Sequence, residues 1–152
     1  ISISILVVAL TILTFLFLPD VNLIQAGINE WTTQGPPGAD ITVLTIDPII
    51  TNTIYAGTFN GLYKSIDGGN SWNIIDIGAP VGSTSISILD IATAHVMSST
   101  VIYISTSGYG VYKSIDEGLT WVNSLDIGGG INALAVDPLI PTTVYAGNAP
   151  MG

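Results

Sequence analysis

The side chains that could do chemistry in this chain are mostly carboxylates. Its 152 residues include 11 Asp or Glu, two basic residues (Lys64 and Lys113), one His and no Cys, for a net charge of −9. Paired carboxylates can act as general acids and bases, and their oxygens can hold cations. Without Cys, disulfides and thiolate sites are excluded. With two basic residues the chain lacks the cationic patch that neutralises phosphates, so we expect no nucleic-acid partner.

Two of the carboxylates lie in matching segments. Residues 65–72 read SIDGGNSW and residues 114–121 read SIDEGLTW. In each, Asp can accept backbone N–H bonds, Gly can take positive φ, a hydroxyl residue adds contacts, and Trp can cover apolar surface. Each segment offers one carboxylate apart from Glu117, too few for a cation with 6–8 oxygen ligands, so we predict structural turns and no metal site. The structural positions are Ser65, Asp67, Gly69, Ser71, Trp72, Ser114, Asp116, Gly118, Thr120 and Trp121.

These segments belong to an internal repeat. Trp31, Trp72 and Trp121 are separated by 41 and 49 residues, and Tyr-Ala-Gly recurs at 55–57 and 145–147. Each unit predicts four short β-strands separated by turn residues. Strand a covers 41–46, about 88–93, and 131–136; strand b covers 53–58, 100–106 and 143–147; strand c covers 61–65 and 110–114; strand d starts at each Trp. We predict an all-β chain with units at about 31–72, 73–121 and an incomplete 122–152.

A repeat of about 40 residues with four strands is typical of a β-propeller blade. The two segments also resemble the Asp-box, S-x-D-x-G-x-[ST]-W, of the BNR repeat superfamily, and the resemblance covers about residues 29–149. Similar repeats occur in secreted sialidase-like, sortilin-like and photosystem II assembly-factor propellers. The resemblance implies about two and a half to three blades of four antiparallel strands in an incomplete ring. Because a closed ring takes about four blades or more, further blades or other copies are expected to complete it.

The resemblance also implies that the b–c and d–a connections share one face, usually the binding face. Its candidate ligand-binding residues are Phe59, Asn60, Asp76, Tyr109 and Asp126. A flat ring beside amide and carboxylate groups suits a glycan or a peptide. In the alternative interpretation, Phe59 and Tyr109 only pack against neighbouring loops. His95 is expected to be a solvated residue of the a–b connection, at the position of Pro48 and Pro138.

Catalysis is not expected from these residues. Sialidases of the superfamily use an arginine triad, and this chain has no Arg. Related xyloglucan-active hydrolases place an Asp just after the Tyr-Ala-x-Thr strand, where residues 58–61 read TFNG. Glycoside hydrolysis generally needs two opposed carboxylates, and no such pair is evident. A G-x-S-x-G motif is also missing. We therefore predict no catalytic residue and no cofactor.

The N-terminal residues 1–18 are apolar and uncharged. A secretory signal cut before Gly27 is the leading interpretation of residues 1–26, because Pro19 and Asp20 end the apolar run and Ala26 is a small residue at the cleavage position. An uncleaved membrane anchor and a pilin-like assembly helix are the alternatives. Each exports residues 27–152 from the cytoplasm, and membrane contact is expected only through an uncleaved segment 1–18.

The leading hypothesis is an exported, non-catalytic binding or assembly propeller that is the N-terminal piece of a longer protein. One alternative is the N-terminal part of a secreted glycoside hydrolase whose catalytic carboxylates lie in further blades. The other is a membrane-anchored surface or adhesion protein.

Overall fold

The computed structural model of the chain contains two units, Ile1–Thr33 and Gln34–Gly152. It describes residues 34–78, 80, 85–126 and 129–148. The signal, anchor and helix predictions for residues 1–26 lie outside these residues, as does Trp31. Every regular element in the described part is a β-strand, which confirms the all-β class there. That part contains no helix with the length and apolarity needed to cross a membrane.

The strands form three antiparallel sheets in which chain neighbours pair. Sheet 1 contains β1 to β4, sheet 2 contains β5 to β8, and sheet 3 contains β9 and β10. The strands are β1 (Ile41–Ile46), β2 (Ile54–Thr58), β3 (Gly61–Ser65), β4 (Asn73–Ile75), β5 (Ile88–Val96), β6 (Ser99–Thr106), β7 (Gly110–Ser114), β8 (Val122–Leu125), β9 (Ile131–Val136) and β10 (Val144–Asn148). In the full sheets these strands follow the predicted order a, b, c, d.

The sheets stack through their apolar faces. Strand β1 packs on β5, and β5 packs on β9. The core between sheets 1 and 2 consists of Tyr55, Leu62, Ile77, Ile86, Ile88, Ile91, Ile102, Ile104 and Tyr112. The core between sheets 2 and 3 consists of Val101, Tyr103, Val111 and Ile131. Burial of both faces of sheet 2 explains the near-continuous apolar run in β6, because a strand covered on both sides has no solvent face.

Gly57 permits the close approach of sheets 1 and 2. A Cβ at this position would lie 2.6 Å from Val43 Cγ1 and 2.8 Å from Ile88 Cγ2. Both distances are shorter than a van der Waals contact between two carbon atoms. Only glycine therefore fits at this position of β2, next to Val43 of β1 and Ile88 of β5. Gly147 holds the same repeat position in β10, where the nearest atom to an added Cβ is Ala133 Cβ at 3.7 Å.

The second repeat differs from the prediction at its a–b connection. Strand β5 continues to Val96, and His95 pairs with Thr100 within the β5–β6 ladder. The prediction that His95 is a solvated turn residue is therefore wrong. In sheets 1 and 3 strand a ends at an Asp-Pro pair, and proline has no N–H with which to continue the hydrogen bonds of the sheet. At the equivalent positions 94–95 the chain reads Ala-His, so the backbone N–H is present and the strand can continue. His95 is half-buried, and its buried Nδ1 has no hydrogen-bond partner in the described part.

Candidate functional site

The first of the two segments that resemble the Asp-box, residues 65–72 (the first box), forms the connection between β3 and β4. Asp67 accepts hydrogen bonds at Oδ1 from Ser65 Oγ (2.8 Å) and Ser71 N (2.9 Å), and at Oδ2 from Ser71 Oγ (2.6 Å). Ser65 Oγ in turn accepts a bond from Gly69 N at 2.8 Å. Trp72 Nε1 donates to Gly69 O at 3.0 Å and to Gln34 O at 2.8 Å. Both oxygens of the Asp67 carboxylate thus accept hydrogen bonds from residues of the same turn.

The second such segment, residues 114–121 (the second box), repeats this geometry between β7 and β8. Asp116 accepts from Ser114 Oγ (2.8 Å), Thr120 N (2.9 Å) and Thr120 Oγ1 (2.5 Å). Gly118 N donates to Ser114 Oγ at 2.8 Å, and Trp121 Nε1 donates to Gly118 O at 3.1 Å. Gly69 and Gly118 have φ of 94° and 91°, a region that favours Gly. All ten structural positions of the two boxes therefore serve the turns or the adjoining core.

Hydrogen bonding stabilises the charged form of both box carboxylates. Bonds from the Ser71 hydroxyl, the Ser71 N–H and the Ser65 hydroxyl lower the pKa of Asp67 from 3.8 to about 2. The Thr120 hydroxyl, the Thr120 N–H and the Ser114 hydroxyl lower the pKa of Asp116 to about 2. A carboxylate held in this way is a poor general acid or base near neutral pH, because it binds a proton only in strong acid.

Lys64 links the first sheet to the second box. Its Nζ donates to the carbonyl oxygen of Glu117 at 2.8 Å and lies 5.5 Å from the centre of the Tyr55 ring. Lys113 occupies the same position in β7, and its Nζ lies 5.3 Å from the Tyr103 ring. Both lysines of the chain thus lie over tyrosine rings of the sheets, and Lys64 also joins sheet 1 to the second box.

The opposite ends of the sheets carry the candidate ligand-binding residues. In sheet 2 the b–c turn is joined to both neighbouring d–a connections at Ser107. Its N–H donates to Ser87 O at 3.0 Å, and it forms an antiparallel bridge with Gly130. Antiparallel pairing places the b–c turn of each full sheet at the end where strand a begins and strand d ends. We call these connections the loop end.

The candidate residues of the b–c turns differ in exposure. The side chain of Phe59 is 56% exposed, and Asn60 beside it is exposed, with its N–H donating to Thr58 Oγ1 at 3.1 Å. Tyr109 is half-buried and packs against the core between sheets 1 and 2. Its carbonyl oxygen accepts a bond from Asn123 Nδ2 at 3.0 Å. Phe59 therefore presents a free ring, whereas Tyr109 contributes at least partly to packing.

The two candidate carboxylates of the d–a connections are both exposed. Asp76 Oδ1 accepts a bond from Gly78 N at 2.9 Å, which shapes the start of its connection. Asp126 follows the end of β8 directly. Ile75 pairs with Leu62 and Leu125 pairs with Val111, so Asp76 and Asp126 each lie beside the b–c turn of their own sheet.

A cavity of about 270 Å³ lies at the other end of the strands. Its lining comes from all three sheets: Pro48, Thr93, Ala94, His95, Val136 and Pro138. The neighbouring Asp47 is buried; burial alone would raise its pKa, but bonds from Ile50 N–H, the Thr100 hydroxyl and Ile49 N–H lower it overall. The sequence analysis missed this cavity. The available signal was that His95 shares its repeat position with Pro48 and Pro138.

Within the residues that the structure describes, no group of three or more His, Cys, Asp or Glu side chains could hold a metal ion. No protein-family model matches the chain, and no curated protein matches it.

Proposed function

We propose that the chain is an exported, non-catalytic binding or assembly module of the Asp-box β-propeller type, with its ligand site at the loop end. The two boxes support this assignment, because the same hydrogen bonds to the Asp carboxylate recur in both turns, each between the third and fourth strands of its sheet. Both oxygens of each carboxylate accept hydrogen bonds within their own turn.

The observation that supports a ligand site at the loop end is the exposed ring of Phe59 next to the exposed Asn60. An aromatic ring costs free energy in water unless something covers it, and an adjacent amide can orient a polar ligand. The acidic groups Asp76 and Asp126 lie in connections of the same loop end. Ring, amide and carboxylates together suit the apolar faces and hydroxyl groups of a neutral glycan better than an anionic ligand.

Binding to an array of immobilised neutral oligosaccharides tests this proposal. Phe59→Ala should weaken binding about three- to tenfold, the range expected for loss of one aromatic contact. Ile66→Ala is the matched control, because Ile66 is a similarly exposed apolar residue (67%) in the Asp-box at the opposite end of sheet 1.

Equal losses in the two variants would place the site elsewhere. Binding to a displayed peptide library with no oligosaccharide bound would identify a peptide-binding module and overturn the choice of a glycan. If the unmodified chain binds neither, the proposed function is wrong.

A further inference from the structure

The cavity opposite the loop end combines an apolar lining with one imidazole. Its volume is about 270 Å³, and its lining is apolar except for Thr93 and His95. The lining residues belong to strand a of a sheet or to the turn that follows strand a. Because a dry apolar cavity of about 150 Å³ is large enough to hold benzene, this cavity has room for a small bicyclic molecule.

The fold uses the imidazole of His95 only in part. Its Nδ1 atom is buried and has no hydrogen-bond partner in the described part. Nε2 is therefore the ring nitrogen that a molecule in the cavity can contact. A neutral imidazole carries its proton on one nitrogen and a lone pair on the other. A proton on Nδ1 would be a buried donor without an acceptor, which costs free energy, so the surroundings favour the tautomer with an Nε2–H.

Exposed apolar side chains lie next to the cavity in the chain. They follow the lining residues Pro48, His95 and Pro138 by one or two positions: Ile49, Ile50, Met97, Leu139 and Ile140. Met97 is 96% exposed and has a φ of 56°, a region in which Gly and Asn are favoured. Neither burial nor turn geometry thus accounts for a methionine there. Apolar groups grouped on a surface in this way are typical of a site that contacts an apolar ligand.

The charges beside the cavity favour a neutral ligand. Asp47 and Asp137 immediately precede Pro48 and Pro138, and Oδ1 of each accepts hydrogen bonds from two backbone N–H groups of its own turn. Their negative charges disfavour an anion. A cation would lose its hydration without gaining a partner, because the lining contains no carboxylate.

We propose that this cavity binds a neutral, mainly apolar molecule of about bicyclic size whose carbonyl or other acceptor takes a hydrogen bond from Nε2 of His95. The apolar lining covers the body of the ligand, and the single imidazole donor fixes its orientation. The cavity lies at the end of the sheets opposite the loop end, so the inference does not depend on the ligand proposed there.

Proton NMR of the full chain, with indanone as the probe, tests the site. His95 is the only histidine of the sequence, so its two ring C–H signals report on this position alone. At constant pH both signals should shift on addition of indanone and saturate with a Kd on the order of 1 mM, as expected for a ligand of about ten non-hydrogen atoms. Indane carboxylate, an anion with the same rings, should leave both signals unchanged.

His95→Phe tests the hydrogen bond, because phenylalanine keeps a ring but has no N–H. The Kd of indanone should rise about fivefold, the change expected for one neutral hydrogen bond. The Kd of indane, which has the same rings and no carbonyl, should not change. Thr93→Val is the matched control, since it removes the other polar side chain of the lining at similar volume, and it should leave both values unchanged. Saturation-transfer NMR of the probes measures these constants.

The other outcomes contradict the proposal. Binding of indanone without a shift of the His95 signals would place the ligand elsewhere, and no binding at saturating probe would mean that the cavity is not a site. Equal weakening of indanone and indane by His95→Phe would show that the imidazole shapes the cavity without donating a bond. Weakening of indanone by Thr93→Val alone would assign the bond to Thr93. If His95→Phe does not fold, the His95 signals of the unmodified chain still decide whether the cavity is occupied, and oligosaccharide binding tests the loop end separately.

Discussion

At the scale of single residues, the two most conspicuous carboxylates of the sequence act on their own backbone. Both oxygens of Asp67 and of Asp116 accept bonds from residues two to four positions away. Local pairing of this kind was expected from Asp followed by Gly and a hydroxyl residue, because short polar side chains readily bond nearby N–H groups. The ligand site that we propose therefore uses residues whose polar atoms or rings are left exposed, such as Phe59.

The depressed pKa values of the box carboxylates predict a specific loss of stability in acid. A group whose folded pKa lies below its unfolded value contributes stability above the unfolded pKa and loses it as pH falls through the folded pKa. Because folding lowers the pKa of both carboxyl groups from 3.8 to about 2, this stability should be lost between about pH 4 and pH 2. Thermal melts at intervals across this range should show a shallower decline in Asp116→Asn than in the unmodified chain. Asp126→Asn, outside the boxes, is the control and should follow the unmodified chain; an identical decline in Asp116→Asn would contradict the assignment.

At the scale of the elements, most strands could be predicted because each depends on local sequence. The predicted a, b and c strands of the first repeat, 41–46, 53–58 and 61–65, differ from β1, β2 and β3 by one residue at most. The hairpin of β5 and β6 was predicted too short. Residues 94–95 are Ala-His instead of Asp-Pro, and only their pairing with β6 shows that the strand continues through them. The cavity beside His95 was not predicted either: Pro48, His95 and Pro138 share one repeat position, but that position becomes a cavity only once the three sheets are stacked.

The packing of neighbouring sheets predicts opposite effects for two glycines at one repeat position. Gly57→Ala should lower the free energy of unfolding by about 1–3 kcal/mol, because the new methyl overlaps Val43 and Ile88. Gly147→Ala meets no atom closer than 3.7 Å and should be neutral or raise stability by up to about 1 kcal/mol. Urea unfolding followed by tryptophan fluorescence measures both. Comparable destabilisation by the two substitutions would mean that sheet 3 is covered as closely as sheet 1.

At the scale of the whole molecule, the three sheets are held together by repeated contacts between successive units. The apolar cores supply the main area, and a few polar contacts set the register of one sheet against the next. Thr42 and Thr45 donate to Ile88 O and Ile91 O, and Asp90 accepts from Leu134 N at 2.6 Å. Because the main contacts between the described sheets join successive sheets, stability should be close to a sum of unit and interface contributions.

Lys64 and Lys113 allow one such interface contact to be measured. Lys64→Met removes both the contact with the Tyr55 ring and the bond to Glu117 O, whereas Lys113→Met removes only the contact with the Tyr103 ring. Each variant takes the net charge from −9 to −10, so the effect of overall charge cancels between them. We expect Lys64→Met to cost about 1–2 kcal/mol more in urea unfolding than Lys113→Met, the contribution of a charge-assisted hydrogen bond at a partly buried site. If the two substitutions cost the same, the Lys64 bond does not stabilise the stacking of sheets 1 and 2.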